Sequence, residues 1–497
     1  MYGENSERVV TFNAGITLYT AEKNIVAFGF GGVIAQDADL GIVIYRIKYD
    51  SVFYRLDSLL KQIDDLKSNI KGYDSIPSYY FVDNYIDNKI SDINNTIANS
   101  STSFDMFTFY TDIHLGANVN CKTPMLLKYL YDNTPINKAF FGGDIIDAYG
   151  GASHLFDNIK EYLKLFAKGN IGLDCFNIRG NHDFTIKDSQ DASTGDTLSK
   201  IKTHNILQLS NEWLGNAIYN DNDEIGNYFY VDNPTKHIRY IAIDTTDEVQ
   251  EGQAWGTLVS IDKTQYEWIV EKAIKPIKNG WNIILLSHIP FLLGAAGEST
   301  YNFSQFIKAY NEQRTFSWHN VTYDFSDYTS KIVACISGHE HVDFASYKYG
   351  CLQVIVACDA RYEDYKHSPW MSDAPSRTIG TINEQCFDVF ALDLGNSIIK
   401  SIRIGAGYDR YFNLTEKAVK IGSSITLNAI HVSNPTWDFM DIENITYKES
   451  TGTRWTSTKN NVSISNGSVT GLKVGDALVV AIGEDKSKEF FHVVVTE

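Results

Sequence analysis

The apolar residues of this chain fall into three successive patterns. Up to about residue 50, runs such as "VVTFNAGITLYT" and "NIVAFGFGGVIA" predict a β-rich N-terminal region, residues 1–50. Between residues 104 and 412, apolar strand-like runs alternate with helical segments, which predicts an α/β layered core. From residue 418 to 497, short runs separated by Asn-Gly and other glycine turns predict a small all-β sandwich.

Two short heptad patterns occupy the stretch between the first two regions, residues 51–103. In the first, the apolar residues are Leu56, Leu59, Ile63, Leu66 and Ile70. In the second they are Ile86, Ile90, Ile93 and Ile97. Each pattern spans only about two heptads, which leaves two interpretations open. The segments are either amphipathic helices that pack on their own domain or a short oligomerising stalk, for instance of a homotrimer.

Composition and charge narrow the classes of function. Hydrophobic residues make up 43% of the 497 residues and charged residues 21%, as in a globular protein. The formal net charge of −18 argues against sequence-independent binding of nucleic acid, which needs a basic surface. It also repels anionic substrates, unless a local positive centre such as a metal pair reverses the field at the site.

Targeting signals and cysteines point to a protein made in a cytoplasm. The start of the sequence, "MYGENSERVV", lacks the basic and apolar stretches of a signal peptide, and no run is long and apolar enough to span a bilayer. The cysteines have no close metal-type pairing and stand mostly in apolar runs, which predicts reduced core residues. They are Cys121, Cys175, Cys335, Cys351, Cys358 and Cys386. Action in a virion or outside the cell is a separate hypothesis.

Five apolar runs of the middle region are each followed by Asp, Asn or His. The run "FTFY" leads into "TDIHLG", "KAFF" into "GGDIID", and "CFNI" into "RGNHD". Further along, "NIILL" leads into "SHIPF" and "KIVACIS" into "GHEHVD". In open α/β sheets, ligands bind at the carboxyl ends of the strands, so we expect these five segments to share one site.

The residue types in these segments indicate a metal site. Carboxylate and amide oxygens together with imidazole nitrogens suit Mn²⁺, Fe or Zn²⁺, with Mg²⁺ or Ni²⁺ as alternatives. The candidate ligands are too many for one ion, so we expect two divalent metal ions that share a carboxylate, typically ~3.5–4 Å apart. The polar segments that follow the five runs contain no cysteine, which argues against a purely structural zinc site.

In this order the segments resemble the motifs of the calcineurin-like metallophosphoesterases. The family set is D-x-H, G-D-x-x-D, G-N-H-D/E, a lone His and G-H-x-H. The matching residues are Asp112 and His114, Gly143 to Asp147, Gly180 to Asp183, His288, and Gly338 to His341. The resemblance covers roughly residues 104–412 and implies a four-layer β-sandwich flanked by helices.

The resemblance also implies a role for each matched residue. Seven residues would hold the metal ions: Asp112, His114 and His341 one of them, Asn181, His288 and His339 the other, with Asp144 bridging both. His182 would protonate the leaving oxygen or hold a phosphoryl oxygen, and Asp147 would orient its ring. A hydroxide that bridges the two ions would attack the phosphorus opposite the leaving group.

Other polar residues of the region have plainer interpretations. Asp147 and Asp183 also fit a surface loop carboxylate or a helix cap. Asp244 ends the apolar run of "YIAIDTTD" but matches no ligand position, so we expect it to shape a turn. Residues suggested only as pocket lining are Tyr149, His154 and His319.

The motifs give the reaction type and narrow the substrate. Serine/threonine phosphatases of the family usually carry Arg-Gly after the second motif and G-N-H-E as the third. This chain has "GGDIIDAYGG" and "GNHD" instead, which argues against a protein phosphatase. A monoesterase or diesterase that acts on a small or polymer-linked phosphate is the best remaining interpretation.

The flanking regions suggest a context. "WTS" at 455–457 and "GSVTGLKVGDALVVA" at 467–481 resemble bacterial immunoglobulin-like modules of group 2. With the β-rich start and the heptads, the chain resembles the modular build of phage tail or appendage proteins. The hypothesis is a virion-associated phosphodiesterase that cuts a phosphate-bearing cell-surface glycan and contacts other virion proteins. The alternatives are an adhesion protein with an inactive phosphoesterase domain and an intracellular nucleotide or nucleic-acid phosphodiesterase.

Overall fold

The computed structural model describes two compact units, Met1–Pro77 and Ser78–Glu497. The described residues are 9–11, 16–21, 24–30 and 42–45 as backbone only, then 76–115, 121–146, 158–159, 162–163, 165–166, 171–184, 203–204, 207, 217–220, 223, 225–246, 261–291, 298–318, 320–360, 376–442, 445–447 and 455–497.

The first unit contains a four-stranded antiparallel sheet. Its strands, in sheet order, are β1 (Val9–Thr11), β2 (Ile16–Ala21), β3 (Asn24–Phe30) and β4 (Ile42–Tyr45). The β-rich start predicted from the sequence is therefore confirmed. The first heptad pattern, residues 56–70, lies outside the described residues.

The second unit contains a ten-stranded sheet with the order β22-β27-β28-β19-β18-β17-β5-β6-β7 and β20 beside β28. Its strands are β5 (Phe104–Tyr110), β6 (Lys138–Phe141), β7 (Asp174–Asn177), β17 (Cys386–Asp393), β18 (Ile398–Gly405), β19 (Arg410–Asn413), β20 (Lys417–Lys420), β22 (Thr436–Asp441), β27 (Gly475–Ile482) and β28 (Lys488–Thr496). Strands β5, β6 and β7 are parallel, so their carboxyl ends lie at one edge.

A seven-stranded sheet has the order β15-β16-β14-β11-β10-β9-β8. Its strands are β8 (Ala217–Tyr219), β9 (Phe229–Asn233), β10 (Ile238–Ile243), β11 (Asn282–Ser287), β14 (Lys331–Ser337), β15 (Phe344–Ser346) and β16 (Leu352–Ile355). Strands β10, β11, β14 and β16 are parallel to one another. The five apolar runs singled out in the sequence are thus strands β5, β6, β7, β11 and β14.

Smaller elements complete the described part of the unit. The helices are α1 (Tyr85–Ala98), α2 (Thr123–Asn133), α3 (Lys263–Trp268) and α4 (Glu298–Asn311), with shorter helical turns at Ser78–Asn84, Ile269–Ile274, Lys275–Ile277 and Lys348–Gly350. The remaining strands are β12 (Thr315–Trp318), β13 (Val321–Asp324), β21 (Ser424–Thr426), β23 (Thr446–Tyr447), β24 (Trp455–Thr456), β25 (Val462–Ser465) and β26 (Ser468–Gly471). None of these helices has the length and apolar character needed to cross a membrane.

The core lies between the two large sheets. Phe107 and Phe140 of the ten-stranded sheet belong to the same buried cluster as Tyr240 and Leu286 of the seven-stranded sheet. The rings of Phe107 and Tyr240 meet edge to face at 5.2 Å. Each such apolar side chain contributes roughly 1.5–3 kcal/mol when fully buried, so the layer between the sheets is a major source of stability.

Helices cover the other face of the seven-stranded sheet. Because side chains alternate along a strand, the neighbours of the inward-facing residues point away from the first core. Ile241 and Leu285 accordingly pack with Trp268 and Phe306 of the helical layer. This arrangement of sheets and helices confirms the predicted mixed α/β layered fold class.

Helix α1 contains the second heptad pattern and packs on its own unit. Ile86 and Ile93 are fully buried. On the same helix, Lys89 pairs with Asp409 at 2.6 Å, and Asp92 accepts a hydrogen bond from Lys400 of β18 at 2.6 Å. For this helix, packing within the chain is therefore the observed arrangement.

The C-terminal residues form strands, as their turn pattern predicts. Asn466 and Gly467 have φ values of 44° and 79° and join β25 to β26, as an Asn-Gly hairpin turn requires. The tail does not stand apart from the core sheet, because β28 pairs in parallel with β19 over Arg410 to Phe412. All six cysteines are buried, as expected for core residues.

Candidate metal centre

Six of the seven predicted metal ligands, together with His182, form three overlapping groups of potential ligand atoms. The groups are Asp112, His114 and His341; His114, Asp144 and His182; and Asp144, His288 and His339. Within each group, the ligand atoms all lie within 4.8 Å of one another. The seventh predicted ligand, Asn181, contacts the third group. The five strand ends therefore converge on one site.

The first group surrounds one oxygen of Asp112. Its Oδ1 lies 3.2 Å from Nε2 of His341 and 3.7 Å from Nε2 of His114. The two histidine Nε2 atoms lie 3.2 Å apart. His341 comes from the loop after β14, so this group joins the ends of strands in different sheets.

The second group surrounds Nε2 of His288. This atom lies 2.9 Å from Oδ1 of Asn181 and 3.2 Å from Oδ2 of Asp144. His339 adds its Nδ1 at 3.0 Å from Oδ1 of Asn181 and 3.3 Å from Nε2 of His288. All of these side chains except that of His339 are almost completely removed from solvent.

The contacts of His288 test whether a cation fits here. Its Nδ1 lies 2.8 Å from the carbonyl oxygen of Gly142, which can only accept, so Nδ1 carries the hydrogen. In the neutral ring, Nε2 then offers a lone pair to two acceptor oxygens, those of Asn181 and Asp144. Three electron-rich atoms facing one another repel unless positive charge lies between them. The residues therefore fit a metal ion.

The buried carboxylates create the same demand for positive charge, which a second proton on His288 meets when no metal ion is bound. Burial alone would lower the pKa of His288, but Asp144 and Asp112 outweigh it and raise that pKa to about 9. Burial would raise the pKa of Asp112, but His341 and His288 lower it well below its usual range. Burial and the neighbouring His288 lower the pKa of His339 to about 3. The two carboxylates thus hold positive charge at the site.

The backbone at the site adopts an uncommon conformation. Five candidate ligands have φ values in the left-handed region: Asp112 at 56°, His114 at 51°, Asp144 at 59°, His339 at 70° and His341 at 56°. This conformation costs a residue with a Cβ atom roughly 1–2 kcal/mol. Such strain persists only where the surroundings over-determine it, and it is concentrated at functional sites.

Backbone hydrogen bonds between the loops after β5 and β6 stabilise part of this strained backbone. The N–H of Asp112 donates to the carbonyl of Gly143 at 2.9 Å, and that of His114 donates to the carbonyl of Asp144 at 3.1 Å. The parallel pairing of the two strands thus continues into the ligand loops. Asp112 and Asp144 are fixed next to each other by this pairing.

Asp183, for which the sequence allowed a surface or helix-capping role, is buried and has neither. Its carboxylate accepts hydrogen bonds from the N–H groups of Gly180 at 2.7 Å, Asp144 at 3.0 Å, Ile145 at 2.7 Å and Ile146 at 3.3 Å. Burial and the nearby Asp144 raise its pKa to about 7. Asp183 therefore ties the loop after β6 to the loop after β7.

Two residues that sequence reasoning did not assign also support the site. The hydroxyl of Thr111 donates to Oδ2 of Asp112 at 2.7 Å, which leaves Oδ1 directed at the histidines. Arg179 forms a fully buried ion pair with Asp244. Asp244 also accepts hydrogen bonds from the N–H and hydroxyl of Thr246 at 2.9 and 2.8 Å, so it shapes a turn as predicted. Thr111 and Arg179 directly precede matched motifs, which is the signal that could have found them.

His182 lies at the rim of the cluster. Its side chain is 9% exposed, whereas the side chains of His114 and His288 are fully buried. The backbone N–H of His182 donates to Oδ1 of Asp144 at 2.8 Å. Its ring packs edge-on against that of His114, with 4.9 Å between the ring centroids. The predicted partner of its ring, Asp147, lies outside the described residues, as do Tyr149, His154 and His319.

Residues 106–343 match a family model described as calcineurin-like phosphoesterase. The match confirms the resemblance for this region and supports a metal-dependent phosphoester hydrolase domain there. No curated protein matches the chain.

Several solved structures are similar to part of the chain. The protein TT1561 of Thermus thermophilus is 12% identical over 51% of this chain and 89% of that chain, with a TM-score of 0.29. A phosphopantetheinyl hydrolase from Mycobacterium tuberculosis is 14% identical over 51% and 89%, with a TM-score of 0.27. GAP50, an anchor in the inner membrane complex of Plasmodium, is 12% identical over 60% and 84%, with a TM-score of 0.28.

Proposed function

We propose that the calcineurin-like phosphoesterase domain of this chain holds two divalent metal ions and hydrolyses phosphodiesters. The observation that carries this proposal is the position of Asp144. Its Oδ2 lies 3.7 Å from Nε2 of His114 and 3.2 Å from Nε2 of His288, so one carboxylate belongs to two groups of candidate ligands. A shared carboxylate of this kind is what a two-metal phosphoesterase site needs.

The proposed ligand sets follow the two sides of Asp144. One ion would be held by Asp112, His114 and His341, and the other by Asn181, His288 and His339. Mn²⁺, Fe and Zn²⁺ suit this mixture of oxygen and nitrogen ligands best. When bound, such ions supply the positive charge that polarises a phosphoryl oxygen and activates water.

His182 is the proposed proton donor to the leaving oxygen. Because its ring is partly exposed, it can reach a substrate, which the fully buried His114 and His288 cannot. Its backbone N–H donates to Asp144, which holds the main chain of His182 next to the ligand groups. A positioned acid of this kind typically contributes ~10²–10⁴-fold to the rate. Orientation of the ring by Asp147 remains a prediction.

We further propose that the substrate is a phosphate-bearing surface polymer and that the protein acts as part of a virion. Support for this context comes from the arrangement of regions along the chain: a small β-sheet at the start, the heptads, and a β-strand tail that resembles immunoglobulin-like modules. A trimer through residues 56–70 belongs to the same proposal. The strong negative charge of −18 disfavours a nucleic-acid substrate.

One activity screen tests the enzymatic proposal. Metal-stripped protein receives Mn²⁺, Zn²⁺, Mg²⁺ or Fe²⁺ in turn and is assayed on a chromogenic phosphodiester and on the matching monoester. The test variants are His182→Ala and Asp144→Asn. Matched controls are His431→Ala and Asp327→Asn, because both residues are exposed and neither belongs to the ligand groups. We expect metal-dependent turnover of the diester that both test variants lose and both controls keep.

The outcomes separate the candidate functions. Hydrolysis of the monoester alone would refute the diesterase assignment, and no turnover with any metal would favour the adhesion protein with an inactive domain. Release of phosphate-containing fragments from purified cell-wall polymer tests the substrate proposal, and light scattering tests the trimer. A monomer that leaves such polymers intact would contradict the proposed virion context.

A further inference from the structure

Four charged side chains outside the ligand groups form a buried cluster between the two large sheets. They are Asp343, Asp388, Arg403 and Arg410, and each is at most 3% exposed. Each aspartate pairs with both arginines. Oδ1 of Asp343 lies 2.7 Å from Nη2 of Arg403 and 3.2 Å from Nη1 of Arg410. Oδ1 of Asp388 lies 3.0 Å from Nε of Arg403, and its Oδ2 lies 2.9 Å from Nη2 of Arg410. The cluster is therefore electrically balanced.

Arg403 is at the centre of the cluster. Its Nε donates to Oδ1 of Asp388, and its Nη2 donates to Oδ1 of Asp343 and Oδ2 of Asp388, all at 2.7–3.0 Å. Its Nη1 donates to the carbonyl of Ala406 and contacts Sγ of Cys386, both at 2.9 Å. Since all five N–H donors of the guanidinium are used, the planar group has one orientation. That orientation joins Asp343 to strands β17 and β18.

Stability alone is a poor reason for such a cluster. Removing charges from water costs nearly as much as their pairing returns, and matched apolar replacements of buried ion pairs are often as stable as the pairs. The two arginines add fixed geometry, because each planar guanidinium group holds its carboxylate partners in defined directions. The question is then which part of the molecule this geometry positions.

Asp343 ends the segment that carries two candidate ligands, His339 and His341. Both histidines have left-handed φ values, so this turn needs support from its surroundings. At its start, the N–H of Gly338 donates to the carbonyl of His288 at 3.0 Å, and the N–H of His339 donates to Asp112 at 3.0 Å. At its end, Asp343 is held by the two arginines and by the N–H of Ala357 at 3.1 Å. The turn is thus fixed at both ends.

We infer that Asp343, held by Arg403 and Arg410, is a positioning residue that fixes His339 and His341 for metal binding. The inference rests on the proposed metal centre and adds to it a structural link from strands β17 to β19 to the ligands. Because the turn supplies one ligand to each proposed ion, loosening it weakens both binding steps. Outer residues that orient metal ligands typically change affinity by ~10–100-fold.

Two double variants with the same change in charge test this inference. Asp343→Leu with Arg410→Met removes the aspartate that holds the turn and leaves Arg403 balanced by Asp388. Asp388→Leu with Arg410→Met is the matched control, since it leaves Arg403 balanced by Asp343. Binding of Mn²⁺ to each metal-free protein is measured by calorimetric titration, and urea unfolding of the same samples measures stability. Arg403→Lys, which keeps the charge but loses the planar guanidinium group, and Asp343→Asn, which keeps the shape, are further variants should the first double variant not fold.

We expect the Asp343 double variant to bind Mn²⁺ at least tenfold more weakly than the control at both steps, while the two unfold at similar urea concentrations. Arg403→Lys should weaken binding in the same direction. Equal Mn²⁺ affinity in the two double variants, or equal losses that follow their stability, would overturn the positioning role. Failure of the unaltered protein to bind Mn²⁺ would instead overturn the metal centre itself, and the inference with it.

Discussion

Gly180 offers a direct test of how tightly the ligand loops must approach each other. Its φ is outside the left-handed region, so the backbone itself accepts alanine. The space does not: a Cβ atom at this position would lie 2.1 Å from Oδ1 and 2.3 Å from N of Asp144. Real Cβ atoms essentially never lie closer than 3.0 Å to such atoms. In Gly180→Ala the loops after β6 and β7 must therefore separate by about 1 Å, since overpacking is relieved by backbone shifts.

Neither of the two atoms can move freely. The Oδ1 of Asp144 accepts the N–H of His182 at 2.8 Å, and the N of Asp144 donates to Asp183 at 3.0 Å. Overpacking of this kind costs about 1–3 kcal/mol of stability. A displacement near 1 Å at the reacting groups can lower turnover by ~100-fold. We therefore expect a moderate loss of stability together with a large loss of kcat/KM.

The assay compares kcat/KM on a chromogenic diester in Mn²⁺ with the free energy of unfolding from urea titration. Gly422→Ala is the control, because Gly422 has a φ of +75° but no atom within 4 Å of the added Cβ. It should lose only roughly 1–2 kcal/mol from backbone strain and keep wild-type turnover. Wild-type kcat/KM in Gly180→Ala would refute the reasoning, and so would a loss no larger than that of Gly422→Ala.

Further predictions concern the support of the site, its charge and the tail. Thr111→Val should weaken Mn²⁺ binding by ~10-fold, because Asp112 loses the hydroxyl that orients it, whereas Thr111→Ser should bind normally in the same calorimetric titration. Removal of metal by chelation should lower the thermal midpoint, and Mn²⁺ at about 100 times its Kd should restore about 2.7 kcal/mol; an unchanged midpoint would contradict a buried metal centre. Burial raises the pKa of Asp359 from 3.8 to about 6, so the folded state binds this proton more tightly and is stabilised as the pH falls through that range. We therefore expect the free energy of unfolding of the wild type, relative to that of Asp359→Asn, to rise by about 2 kcal/mol when the pH falls from neutral to near 3.8. A difference between the two proteins that does not change with pH would be inconsistent with the buried charge. A chain ending at residue 413 should fail to fold, because it loses Met440, Leu478 and Phe490 of the core between the large sheets; a soluble, cooperative 1–413 chain would disprove the shared core.

The strand ends carried most of what could be predicted from the sequence. Strands and ligands could be placed because apolar runs and polar residues alternate on a local scale. The contacts that fix the ligands are not local: Asp183 bonds to residues 37–39 positions earlier, and Asp343 to an arginine 60 positions later. A buried carboxylate has the same letter as a surface one, so Asp183 could not be told from a loop residue. The left-handed backbone of the five ligands likewise leaves no trace in their residue types.

The C-terminal tail differs in sequence pattern from the preceding region but shares its hydrophobic core. Its turns and short strands differ from the α/β pattern before residue 412, which predicted a separate sandwich from residue 418. Met440, Leu478 and Phe490 nevertheless belong to the same buried cluster as Phe107 of the central strand β5. Phe490 also stacks on Phe412 at 5.2 Å, at the point where β28 pairs with β19. Because β19 also carries Arg410 of the buried charge cluster, the tail and the turn of His339 and His341 are linked through one strand. The sequence pattern therefore changes near residue 413, but the residues on both sides of this point belong to one hydrophobic core. Any function of the tail depends on the same sheet that supports the metal centre.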